Sequence, residues 1–455
     1  MNNFAKFFSD APTVGPLISK LLSSPSFLAY LISFILILFF VNSIFKSLFD
    51  RNLLTTLISA LNRTSKAEKY ALSRKNFYSG STEKEFVAWQ EKILIELYKD
   101  LALTHLFNKR HLSVVHKASN ELYYPFDNEL KHFGKLLTTD IPPLELDRFQ
   151  KHYFNILKDT IKRPNQVGFE LSEFFINENN EITGFSARTC QYKHTVLTSH
   201  ILEYELFKTY KKMKSKFQDP KKLEGDKILN NLPRRKKIHQ NQSLNDLMIK
   251  GNNRHSLLSV QMIIVAYSKK RGKYCTLIFK RSNKVALKPN YYHIVPAGGY
   301  EIFEQEDTTH GYIIRQNFDI ELALFRELIE EIFNGKDFEG NTTGETNDII
   351  YKHPDVIDII NMLEKKTAYL QFLGNVTDLM TLRQELSFLL LVDDPEFLEK
   401  NFKPNFEGKD LQIVPLEDLH EFLNGELLYP SSSGLLDLMK NSNLIKERGL
   451  DKHIW

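Results

Sequence analysis

Phe325-Arg326-Glu327-Leu328-Ile329-Glu330-Glu331-Ile332, which follows Pro296-Ala297-Gly298-Gly299 by about thirty residues, decides how this chain is read. At roughly 100° per residue a helix brings Glu327, Glu330 and Glu331 within an arc of about 100°. Ala323, one turn earlier, leaves room beside them. Phe325, Leu328, Ile329 and Ile332 take the opposite half, with Leu324 at its edge. Like charges at this spacing repel one another. A hard divalent cation reverses that penalty, because Mg²⁺ takes oxygen from carboxylates and from substrate phosphates together. The plain alternative is a solvated acidic face on an amphipathic helix.

The flanking residues favour the first reading. Arg326-Glu327-Leu328-x-Glu330-Glu331, preceded by a strand-like His293-Ile294-Val295 and a Pro-Ala-Gly-Gly loop, resembles the box of the Nudix hydrolases. That box runs Gly, five residues, Glu, seven residues, then Arg-Glu-aliphatic-x-Glu-Glu-x-Gly-aliphatic. The match is split. Counting forward from Gly299 places Gln305 where the first Glu belongs, and counting back from Arg326 gives Phe318, thirteen residues further on. An insertion therefore lies within Glu304-Gln305-Glu306 to Asp319, and either Glu304 or Glu306 could supply the displaced carboxylate. Phe333 stands where the box has its second glycine.

The surrounding runs fit the same resemblance. Ser256–Tyr267 and Thr276–Arg281 read as strands joined by a charged turn at Lys269–Lys273. Ala368–Leu373 and Leu386–Val392 are strand-length apolar runs, and Ile413–Leu419 reads as a strand entering a helix. The fold class expected is α+β: a C-terminal Nudix α/β/α sandwich with a mixed sheet, a mainly helical linker domain before it, and one N-terminal transmembrane helix. The resemblance implies that Glu327, Glu330 and Glu331 hold Mg²⁺ or Mn²⁺, with Glu330, Glu331 and Arg326 in the catalytic machinery. Glu385 is a candidate fourth carboxylate or base, against the alternative of an exposed turn residue. Gly298, Gly299 and Arg281 are expected to bind the nucleotide. Metal-held carboxylates of this kind polarise a diphosphate and generate hydroxide from water.

Near the N-terminus, Leu21–Phe45 contains no charged residue, and Phe27–Val41 is almost wholly apolar. That approaches the ~20 residues a helix needs to cross a bilayer. Lys46, Arg51, Arg63, Lys66 and Lys69 on the C-terminal side outnumber Lys6 and Lys20 on the other. The bias predicts a single pass through the cell (inner) membrane with the bulk of the chain in the cytoplasm. The two cysteines, Cys190 and Cys275, provide no disulfide framework and suit a reducing compartment. A net charge of +4 over 455 residues is no nucleic-acid signature.

The expected division is residues 1–50 for tail and anchor, 51–250 for the linker domain, and 251–455 for the Nudix domain. Within the linker, Thr82-Glu83-Lys84-Glu85 reads as a capping box opening a helix striped by Phe86, Trp89, Ile93, Leu97 and Leu101. Phe169–Cys190 reads as a hairpin about Asn177-Glu178-Asn179-Asn180. A basic tract runs from Lys208 to Lys237; it reads as a solvated linker, a contact with anionic lipid, or a phosphate gatherer.

Anchor, linker and interrupted box together resemble the SMODS-associated Nudix proteins, effectors of bacterial cyclic-oligonucleotide (CBASS) antiphage signalling. That resemblance implies a cyclic nucleotide ligand made by a partner cyclase, and membrane damage or growth arrest on binding. A lone span cannot enclose a pore, so membrane damage would require a homo-oligomer. The competing expectation is a membrane-tethered, Mg-dependent pyrophosphohydrolase of nucleoside diphosphate derivatives.

Overall fold

The computed structural model describes residues 24–49, 53–124, 133–161, 163–213, 225–282, 290–302, 310–333, 346–400, 402 and 408–453. The chain divides into two compact units, one ending at Ser73 and the other beginning at Arg74.

The first unit holds helix α1 (Pro25–Phe49) and the start of α2 (Leu53–Gly80). Pro25–Ile44 is long and apolar enough to cross a membrane, with mean hydropathy 2.4 and no part of it buried by protein. Tyr30, Phe34, Phe39 and Phe40 are exposed. Lys6, Lys20 and Arg51, used for the orientation, lie outside the described residues.

The second unit follows the order α3 (Lys84–Leu97), β1 (Leu103–Leu106), β2 (Lys109–Tyr123), β3 (Gly134–Leu136), α4 (Arg148–Leu157), β4 (Val167–Ile176) and β5 (Ile182–Gln191). A helical segment with a π turn at Val196–His200 leads into α5 (Ile201–Met213). Then come α6 (Pro233–His239), α7 (Leu244–Ile249), β6 (Ser259–Ser268), β7 (Lys273–Arg281), β8 (Tyr292–Ile294), β9 (Ala297–Gly299) and α8 (Ile320–Ile332). The chain closes with α9 (Pro354–Glu364), β10 (Ala368–Asp378), β11 (Arg383–Val392), β12 (Gly408–Pro415) and α10 (Pro430–Asn441).

The architecture is mixed α/β. Among the described residues twelve strands form one sheet along the path β12-β7-β6-β11-β10-β2-β5-β3, with β8 on β7, β9 on β6, β1 on β2 and β4 on β5. β6 and β11 are parallel, whereas β10 is antiparallel to both β11 and β2. The sheet thus crosses the expected boundary at residue 250, because β2 pairs directly with β10. The segment before that boundary is mixed: more of it is helix than strand, but it also contributes β1 to β5 to the sheet. Its apolar runs were short and interrupted by polar residues, so strand pairing across sequence was invisible locally.

β6 is buried over nearly its whole length, as a central strand covered on both faces must be. Ile263 and Val265 of β6 and Leu389 and Leu391 of β11 pack with Leu435 and Met439 of α10. α8 packs against β6 and β9. The hairpin predicted about Asn177 forms, with Ile176 opposite Ile182 and Asn180 at φ 62°. The capping box at Thr82 does not. α3 starts after Glu83 without a side-chain cap, and the Thr82 hydroxyl donates to Ser79 O at 3.0 Å. The Phe86, Trp89, Ile93 and Leu97 stripe is core.

Candidate functional site

α8 forms where the acidic motif predicts a helix. Asp319 caps it, accepting from the Leu322 amide at 3.1 Å. Leu324, Leu328, Ile329 and Ile332 are fully buried at 0% exposure. Each contributes about 1.5–3 kcal/mol to holding the helix on the sheet. That docking fixes the opposite, acidic face against β9 and the loop after it.

Arg326 organises the contact. Its Nη1 donates to Glu301 O at 2.6 Å and its Nη2 to Gly299 O at 2.6 Å. Nη2 also donates to Glu327 Oε1 at 2.8 Å, and Nε stands 3.9 Å from Glu330 Oε1. Burial alone would lower the guanidinium's pKa, but Glu327 and Glu330 outweigh it and raise it. Glu331, 2% exposed, accepts the Ala297 amide at 2.6 Å. Gly298 is required by contact: a Cβ there would fall inside the carboxylate of Glu327. At Gly299 a Cβ would meet Glu301 Oε1 at 2.9 Å. Arg326, Glu327, Glu330, Glu331, Gly298 and Gly299 are therefore one assembly.

Glu301 belongs to it and was not among the residues expected. Burial pushes its carboxyl up to about 7, with Arg326 pulling down and Glu327 pushing up. The box count led past it to Gln305, which with Glu304 and Glu306 lies outside the described residues. A signal existed in the alternation Tyr300-Glu301-Ile302, whose outer members are buried at 1% and 0%. Phe318, the position found by counting back, is an aromatic fastener. It stacks on Tyr300 at 5.5 Å and meets Phe169 of β4 edge-on at 4.9 Å.

Among the described residues, no three His, Cys, Asp or Glu side chains gather as metal ligands. Glu327 and Glu331 spend oxygens on Arg326 and on the Ala297 amide. As arranged, the donors do not fit a three-carboxylate metal centre.

Arg281 and Glu385 sit in a second group. Glu385 is not a turn residue; it is 4% exposed in β11, opposite Ser259 of β6, which is in turn opposite Gly299 of β9. Burial raises its pKa, and Arg383 opposes that. Arg383 Nη1 meets His200 Nε2 at 3.4 Å, and its Nη2 donates to Ser259 Oγ. Arg281 Nη1 meets His293 Nδ1 at 3.1 Å, and its guanidinium lies 5.1 Å over the Tyr429 ring. Burial holds both histidines well below the ordinary imidazole range, so both are neutral at pH 7. Glu301 joins the two groups, being within electrostatic reach of Arg326 and Glu327 on one side and Arg383 on the other.

The basic tract is partly structural. Arg235 is fully buried and donates to Leu379 O at 2.9 Å, Met380 O at 2.5 Å and Tyr98 Oη at 2.8 Å. Arg234 pairs with Asp147.

The fold and site define a mixed α/β protein with an arginine-pinned glycine loop beneath an acidic helix. No family model matches the chain, and no curated protein does. Among solved structures it is similar to the Nudix domain of Shewanella oneidensis NrtR complexed with ADP ribose, at 14% identity and TM-score 0.25, over 43% of this chain and 89% of that one. It is similar to a Nudix hydrolase from Alicyclobacillus acidocaldarius at 12% identity and TM-score 0.25, over 42% and 96%. A Francisella tularensis NMN adenylyltransferase/ADP ribose pyrophosphatase complexed with AMP and a manganese ion matches at 13% identity and TM-score 0.24, over 41% of each chain. Likeness of this degree carries no family assignment.

Proposed function

We propose that this chain is a membrane-anchored Nudix-type effector that binds a cyclic di- or oligonucleotide messenger at the Ala297–Glu301 loop and the acidic helix. Binding, rather than turnover, carries its function. The observation that supports this most is the commitment of Glu327 and Glu331 to Arg326 and the Ala297 amide. Those bonds shape the loop, and among the described residues no three acidic side chains converge as metal ligands. In this reading Pro25–Phe49 is a single span that moors the chain to the inner membrane, and membrane damage or arrest requires several copies acting together. The antiphage setting and the partner cyclase rest on resemblance of architecture alone.

A second reading is favoured by the complete Arg326-Glu327-x-x-Glu330-Glu331 core on one helix. There the chain is a Mg²⁺- or Mn²⁺-dependent pyrophosphohydrolase, and a bound metal would supply charge neutralisation at the phosphoryl group. Glu327, Glu330 and Glu331 would hold it after giving up their present partners, and Arg326 would keep the loop carbonyls in place.

The full chain in detergent, offered cyclic dinucleotides and ADP-ribose with and without Mg²⁺, separates the two. Saturable cyclic-nucleotide binding without product supports the effector. Metal-dependent release of mononucleotides, lost in Glu330→Gln, supports the hydrolase.

A further inference from the structure

Four successive carbonyls after β9 are taken alternately by two parts of the chain. Arg326 of α8 takes Gly299 O and Glu301 O. Between and beyond them, Tyr300 O accepts the Phe169 amide of β4 at 3.0 Å, and Ile302 O accepts the side-chain amide of Gln166. Gln166 lies 136 residues before Ile302 in the sequence. The box helix thus holds one set of loop carbonyls, and a strand from the segment before residue 250 holds the other.

The second hold closes into a ring. The Phe169 amide donates to Tyr300 O at 3.0 Å, the Tyr300 amide to Leu258 O at 2.9 Å, and the Leu258 amide to Phe169 O at 2.8 Å. Each of the three residues spends both backbone polar groups in this ring, and none is more than 1% exposed. On either side the Ile302 amide donates to Val167 O at 2.8 Å and the Leu171 amide to Ser256 O at 3.0 Å. Buried backbone groups need such partners. The loop therefore cannot shift without stranding groups on β4 and at the entry to β6.

Two residues make the close approach. Gly168 is bridged to Glu301, and a Cβ there would meet Leu257 Cδ1 at 2.6 Å and Tyr300 O at 2.9 Å. Gln166, 9% exposed, also ties the loop to the residue after β5, because its own carbonyl accepts the Tyr192 amide at 2.8 Å.

We propose that β4 positions the Ala297–Glu301 loop for its nucleotide ligand, with Gly168 and Gln166 as the positioning residues. The segment before residue 250 is then part of the ligand site as well as a connection between span and box. The identity of the ligand rests on the reading above; the strap itself rests on the hydrogen bonds. A loop held in place beforehand loses less freedom when a ligand arrives, and loosening it weakens binding.

The test uses the full chain in detergent, with residue-resolved hydrogen exchange and titration with a cyclic dinucleotide and with ADP-ribose in Mg²⁺. Variants are Gly168→Ala, Gln166→Leu and, as a control, Gly184→Ala on β5, where a Cβ would press on Phe133 O at 3.0 Å. The first two should speed exchange of the Tyr300 and Ile302 amides by about 3- to 10-fold and weaken binding by a similar factor. Gly184→Ala should do neither. Loop exchange unchanged in the first two variants would overturn the strap. Faster exchange with unchanged affinity, or the same losses in Gly184→Ala, would overturn the positioning role and leave the nucleotide reading standing. A wild type that binds neither probe, yet whose loop exchange depends on Gly168, would sink the nucleotide reading and uphold the strap. If Gly168→Ala and Gln166→Leu do not fold, native-state exchange of the wild type decides. The amides of Phe169, Leu258 and Tyr300 should then exchange as one unit, within about threefold of each other. Free exchange at Tyr300 while Phe169 stays protected would overturn the proposal.

Discussion

Arg326 and Arg235 do the same mechanical work in different company. Each is buried, and each donates to two backbone carbonyls of a tight segment: Gly299 and Glu301 for Arg326, Leu379 and Met380 for Arg235. Arg326 also holds Glu327 and stands near Glu330, whereas the Arg235 guanidinium adds the Tyr98 hydroxyl and its backbone amide donates to Glu205. The carboxylates turn the first latch into a candidate site. The second is a structural pin for the turn that leads into Arg383 and Glu385.

The contrast predicts a ranking. Arg326→Ala should destabilise most, by about 3–5 kcal/mol, because it strands the buried Glu327 carboxylate as well as two carbonyls. Adding Glu327→Gln to it should recover part of the loss, and a double-mutant cycle by denaturant unfolding measures the coupling. Additive effects would contradict the pairing. Arg235→Ala should cost less, about 2–3 kcal/mol, since only neutral acceptors lose their donors. If it proves the more damaging, the carboxylates beside Arg326 do not set the two latches apart.

Gly298→Ala comes next, at about 1–3 kcal/mol, because its Cβ must displace the Glu327 carboxylate. Unlike Arg235→Ala, it should also weaken nucleotide binding directly. Unchanged affinity would mean that Glu327's seat is irrelevant to the ligand.

The last effect concerns pH and appears only below neutrality. His239 bonds to the Tyr98 hydroxyl at 3.1 Å, and burial lowers its pKa to about 3, with Arg235 and Arg254 adding to the shift. The unfolded chain takes up a proton near 6.5 that the folded chain refuses, so stability is lost as pH falls from 6.5 towards 3. Relative to wild type, His239→Gln should be less sensitive across that window. Parallel melting curves for the two at pH 7 and 4.5 would exclude the effect.

The sequence exposed what is local and periodic. The acidic helix, the buried stripe Leu324–Leu328–Ile332 and the glycine loop follow from spacing, and the structure brings them together. Arg235 was hidden because it sits among Arg234, Lys236 and Lys237, and a run of like charge reads as solvated. Its burial depends on a turn more than a hundred residues away. Glu385 and Arg281 were legible as chemistry but not as location, since β11 carries Glu385 to the arginine cluster rather than to the acidic face. Pairing of β2 with β10 was equally unreadable, because the register of distant strands leaves no local trace.

The most direct test of the account is binding and turnover of a cyclic dinucleotide by the full chain in Mg²⁺, in wild type and Gly298→Ala. Saturable binding is expected, weakened in the variant, with the nucleotide recovered intact. Mononucleotide products from the wild type, or no binding at all, would contradict it.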